Sequence, residues 1–139
     1  MASGYYNIDE AALIIPRNGS NTGEGRNYFE EGRNFFADKN YKAAAPLLAK
    51  DPSPESSYFA GHAYYLQEKF DSARMKFQTV LDSNNDYVQQ ATWYLGLTYL
   101  QLEMVEESKS QLQNVVADPV SDFAQKAGRL LDELNEKNN

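Results

Sequence analysis

Cysteine is absent from the 139 residues, histidine occurs once, at His62, and proline only five times. Without thiols there are no disulfides, no thiolate zinc sites and no cysteine nucleophile; the same lack is silent about compartment, because disulfide-free proteins work on either side of a membrane. No apolar run approaches the roughly 18 residues that span a bilayer. The stretch Ala11 to Ile15 is too short, and too poorly flanked by basic residues, for a signal peptide. Basic residues are outnumbered, 13 to 20, and the net charge of -7 disfavours a phosphate backbone or an anionic membrane surface as partner. The expectation is a chain that binds no nucleic acid and does not insert into a membrane. The compartment stays open: cytoplasmic, or periplasmic if the chain belongs to an anchored or exported protein.

What is present is apolar and aromatic: 42% hydrophobic residues, with 10 Tyr, 7 Phe and 1 Trp. That is too much to leave unburied, and the length suits one domain. Residues 1–25 differ from the rest, since an apolar patch from Ile8 to Ile15 ends at Pro16 and runs into Asn18-Gly19-Ser20-Asn21-Thr22-Gly23-Glu24-Gly25, a flexible linker by composition. From Arg26 onward aromatics and leucines recur at steps of three and four, the helical period, and no strand alternation appears. The fold class expected for 26–139 is all-α.

Internal repetition organises this body. Gly61, Tyr64, Phe70, Ala73, Phe77 and Val80 return 35 residues later as Gly96, Tyr99, Val105, Ser108, Leu112 and Val115. Twenty-nine residues earlier stand Gly32, Phe35, Tyr41, Ala44 and Leu48, and the match then breaks at Asp51. Each copy is an aromatic-rich helix, a polar turn and a second amphipathic helix. The expected helices are about Ser56 to Gln67 and Phe70 to Asp82 in the middle copy, and Val88 to Leu102 and Val105 to Ala117 in the last. Asp118-Pro119 ends the last, because proline cannot continue the ladder. Pro46 is expected near the first turn of the first copy's second helix, and Asp51-Pro52-Ser53-Pro54 stops that helix early. A final helix, about Ser121 to Glu136 and capped by Ser121 or Asp122, would seal the stack with Phe123, Ala127, Leu130, Leu131 and Leu134. Ala44, Ala73 and Ser108 are expected as the small partners that let the second helices approach Gly32, Gly61 and Gly96.

Over Arg26 to Pro119 this pattern resembles the tetratricopeptide repeat, helical hairpins of about 34 residues. The resemblance rests on Ala60-Gly61-His62-Ala63-Tyr64, Phe70-Asp71-Ser72-Ala73, Phe77 and Val80, and on Trp93-Tyr94-Leu95-Gly96-Leu97-Thr98-Tyr99, Ser108, Leu112, Val115 and Pro119. The first copy departs from it, with Glu31 where the family usually has leucine. The resemblance implies a short right-handed superhelix of antiparallel hairpins, with repeats at about 26–52, 54–87 and 88–120 and a capping helix at about 121–136. It also implies a concave groove lined by the first helix of each hairpin: Phe29, Arg33 and Phe36, then Tyr58, His62 and Tyr65, then Trp93, Leu97 and Leu100. Tyr and Trp are enriched at interaction hot spots, and Arg33 is the one cation on the stripe, so an apolar or aromatic peptide fits better than clamped carboxylates. On that stripe His62 would tune affinity with pH, its unperturbed pKa lying near 6.5.

Chemistry finds few footholds. The glycine-rich segment 19–25 lacks the Gly-Lys-Ser/Thr ending of a phosphate loop. Carboxylate pairs such as Asp9-Glu10, Glu30-Glu31 and Glu106-Glu107 point about 100° apart on a helix. His62 has no second histidine and no carboxylate one turn away. The expectation is therefore a non-enzymatic interaction module with no catalytic residue, metal or cofactor, binding a protein or peptide. Three alternatives stand beside it: a small acidic chaperone for secreted or envelope clients, a structural homo-oligomer, and, in a different class, an enzyme on a helical array with His62 or Tyr64 as acid or base, which needs a convergent polar pocket that the sequence does not show. Residues 5–15 are expected to dock on protein, either their own hairpins or those of a second copy, which would join copies through the N-terminal segment.

Overall fold

The computed structural model describes residues 4–7 and 27–137. The apolar patch at 8–15 and the linker at 18–25 lie outside the described residues. Seven helices and no strand occur among those described: α1 (Tyr28–Ala37), α2 (Tyr41–Lys50), α3 (Pro54–Leu66), α4 (Phe70–Leu81), α5 (Val88–Gln101), α6 (Val105–Ala117) and α7 (Ala124–Lys137). Each packs on the next in sequence order, making three antiparallel hairpins and a closing helix, an all-α repeat fold. No helix among the described residues is long and apolar enough to cross a membrane.

The hairpins turn by one device used three times. Lys39, Glu68 and Glu103 have φ of 63°, 61° and 59°, and the amides after them, on Asn40, Lys69 and Met104, reach back to the carbonyls of Phe35, Tyr64 and Tyr99 at 2.8, 2.9 and 2.8 Å. This left-handed C-terminal closure satisfies carbonyls that the helix end would orphan. Its positions keep the repeat spacing of 29 and 35 residues. Asn40 then caps α2, its side chain accepting from the Ala43 amide, and Ser53 caps α3 ahead of Pro54. Lys69 and Met104, at the equivalent starts of α4 and α6, make no side-chain cap.

The glycines mark where the two helices of a hairpin touch. A Cβ added at Gly32 would stand 2.6 Å from the Leu48 side chain, at Gly61 2.6 Å from the Phe77 ring, and at Gly96 3.0 Å from Leu112. Each partner lies sixteen residues on, so the three contacts are one contact repeated. It is this larger side chain that fills the space above each glycine. Ala44, Ala73 and Ser108, expected in that role, are buried beside it, and Ser108 Oγ also donates to the Gly96 carbonyl at 2.8 Å.

Two local expectations are corrected. Pro46 lies inside α2, in its second turn. It falls where Lys42, whose carbonyl loses its helical partner, and Pro46 itself are both exposed. The last helix begins at Ala124, later than expected, because Ser121 Oγ accepts from the Phe123 amide at 3.1 Å and closes a turn there. Phe123, Ala127, Leu130 and Leu134 are buried as the helical spacing requires.

Candidate functional site

The first helices α1, α3 and α5 place the nine residues of the expected stripe in two different environments. In the first hairpin Phe29 and Phe36 are spent on packing: both are buried and meet Phe59 of α3 at centroid separations of 6.4 and 5.4 Å. Arg33 is half-buried. In the second and third hairpins Tyr58 and His62 pack on each other and on Tyr94, Tyr65, Trp93 and Leu97 are buried on the same two helices, and Leu100 is half-buried among the apolar residues.

On this aromatic face sit two tyrosines from the start of the chain. The Tyr6 ring stacks on Tyr65 at 4.1 Å and 10°, meets Tyr94 edge-on at 5.6 Å, and places its hydroxyl 2.7 Å from His62 Nδ1. The Tyr5 ring stands edge-on to Trp93 at 6.1 Å, and its hydroxyl donates to Glu133 Oε1 of α7 at 2.7 Å. The dipeptide therefore runs across the helices from α3 through α5 to α7. The docking expected for residues 5–15 is, at Tyr5 and Tyr6, on the chain's own hairpins.

The support beneath these subsites is rigid. Trp93 stacks on Phe123 at 5.7 Å and 12°, so replacing Trp93 by Ala would open the core as well as the face. Tyr65 is held by Phe70 of α4 and by Gln101, whose amide donates to its hydroxyl at 3.1 Å. His62 is fully buried, enclosed by the rings of Tyr58, Phe77 and Tyr94 at 4.6, 5.1 and 4.5 Å. Its Nε2 has no hydrogen-bond partner among the described residues.

Burial controls the protonation of this site. Loss of water pushes the His62 pKa down to about 3, so the imidazole is neutral at physiological pH and does not tune affinity there, which corrects the expectation drawn from its unperturbed value. Loss of water also raises Tyr6, helped by the neighbouring tyrosines, and raises Tyr58. It raises Tyr65, with the Gln101 hydrogen bond opposing, and raises Tyr5, helped by Glu133. These four hydroxyls are thus held as neutral hydrogen-bonding groups.

No group of three or more metal-ligating side chains forms among the described residues. A cleft of about 560 Å³ opens on another side, between α4 and α6, lined by residues including Met75, Gln78, Thr79, Asp82, Tyr99 and Gln111. Sequence spacing missed Tyr94 and Glu133. Tyr94 was visible as a repeat-motif aromatic beside Trp93, whereas nothing in the sequence links Glu133 to Tyr5. No protein-family model matches the chain, and no curated protein matches it either.

Proposed function

We propose that this chain is a non-enzymatic interaction module of the tetratricopeptide kind, whose aromatic face binds a short segment of a partner protein. The observation that carries this reading is the seating of Tyr5 and Tyr6, which makes the face a peptide-binding surface within the chain itself. A surface that holds two residues through ring contacts and one hydrogen bond each is suited to a linear segment, in the manner of other groove recognition. Stacking on Tyr65 and Trp93 supplies apolar burial together with directional contacts. The acidic balance of the chain favours a partner with basic residues flanking the bound stretch.

The test is a titration of the full chain carrying Tyr5→Ser and Tyr6→Ser, which empties the face, with three labelled decapeptides bearing a central Tyr-Tyr, Phe-Phe or Leu-Leu pair. Saturable binding of at least one aromatic peptide, weakened when Tyr65→Ala is added, supports the module. Failure of all three to bind overturns it.

A further inference from the structure

The subsites distinguish more than aromatic from aliphatic. We propose that the ligand of this face is a segment with a tyrosine pair, in which the second tyrosine is selected over phenylalanine through its hydroxyl; this rests on the module reading above. His62 is a polar side chain, completely buried in a cage of three aromatic rings. Among the described residues the hydrogen bond that satisfies its ring goes to Tyr6, from Nδ1, at 2.7 Å. In one neutral tautomer Nδ1 accepts from the hydroxyl and in the other it donates to it, so either way the pairing needs an oxygen on the ligand ring. A phenylalanine there would stack on Tyr65 equally well but leave Nδ1 buried and unpaired. A site built around a hydroxyl rejects the analogue lacking it far more strongly than an apolar pocket rejects an added group.

The first tyrosine is read differently. Its hydroxyl donates to Glu133, an exposed carboxylate that water serves when the ligand leaves. Exchange of that hydrogen bond for water costs little, so phenylalanine is tolerated at the first position. A phosphate on the second ring is excluded by the dry, neutral surroundings of His62, whereas at the first ring the Glu133 charge opposes it and the Arg129 charge favours it. Tyr5 and Tyr6 are then the chain's own copy of the ligand, held in place until a partner's pair displaces them.

The repeat provides a control. His62 occupies the position that is Leu97 in the next hairpin, so His62→Leu installs a side chain the fold already accepts there. The experiment is calorimetric titration of the full chain carrying Tyr5→Ser and Tyr6→Ser with the peptide MASGYYNIDE and with its Tyr5→Phe, Tyr6→Phe and doubly phosphorylated forms. Expected is a loss of tenfold or more in affinity for the Tyr6→Phe peptide, less than about threefold for Tyr5→Phe, and no binding of the phosphorylated form. With His62→Leu added, the preference for tyrosine at the second position should disappear. Equal binding of the parent and Tyr6→Phe peptides overturns the proposal while leaving the module reading intact. A preference that persists in His62→Leu removes His62 as its origin and overturns the proposal too. No binding by any peptide, the Tyr-Tyr, Phe-Phe and Leu-Leu set included, overturns both. Should the serine variant lose helicity, the same peptides are ranked by competition against the unaltered chain, where the same order is required.

Discussion

His62 is the residue on which pH acts. Its pKa is about 3 in the folded chain and near 6.5 when unfolded, so below pH 6.5 the unfolded state binds the extra proton and the fold loses stability as pH falls. The contribution is complete above 6.5 and declines by about 1.4 kcal/mol per pH unit until the folded value is reached. Between pH 6.5 and 5, above the range where carboxylates titrate, urea midpoints should fall with this slope and flatten in His62→Leu; an unchanged slope would show that the imidazole is hydrated. Two glycines give opposite expectations. Gly61→Ala places a methyl 2.6 Å from the buried Phe77 ring and should destabilise by about 1–3 kcal/mol. Gly128→Ala, within α7 and with nothing inside 4 Å of the new carbon, should stabilise by about 1 kcal/mol through helix propensity. Thermal melts of the pair check both. The glycine contacts were legible because a mid-helix glycine repeated in register needs a packing reason. The protonation state of His62 was not, since it depends on which rings surround it.

At the scale of elements, the repeat allows one hairpin to instruct another. Glu68 holds a left-handed conformation at the α3–α4 turn that favours glycine, and Glu68→Gly should raise stability by about 1 kcal/mol. Lys69 begins α4 without a side-chain cap where Asn40 caps α2. Lys69→Asn should add about 0.5–1 kcal/mol, provided the new side chain reaches the Ser72 amide as Asn40 reaches Ala43. Denaturant midpoints of the single and double variants measure each effect, and a loss on Glu68→Gly would mean that unfolded-state entropy outweighs relief of the turn. Helix existence and order were readable from apolar spacing, while ends shifted by one to three residues, the larger shifts falling where a side chain caps or closes a turn, at Ser53 and Ser121. Ser121 illustrates this: as a sequence it reads as a cap, but its hydroxyl closes a turn before α7 starts.

For the whole molecule, docking of Tyr5 and Tyr6 within one chain predicts a monomer. Light scattering over a concentration series should return a constant mass near 15.7 kDa. A dimer that dissociates on Tyr5→Ser and Tyr6→Ser would instead place each N-terminal pair on the neighbouring copy. In the monomer the same substitutions should lower the melting temperature without loss of helicity, because the docked residues add contacts to the face but contribute nothing to the hairpins' own glycine contacts.

The all-α class, the three hairpins and the shortened first repeat were determined by the sequence alone, because each follows from spacing within a few tens of residues; the aromatic stripe was implied by the resemblance to tetratricopeptide repeats. Where that stripe faces was decided only in three dimensions. Phe29 and Phe36 follow the same period as Tyr65 and Trp93 but pack against Phe59, since periodicity reports that a face is apolar and not what covers it. The contacts of Tyr6 with His62 and of Tyr5 with Glu133 join residues 56 and 128 positions apart. No local pattern encodes such pairs; they arise when stacked helices bring α3, α5 and α7 to one surface.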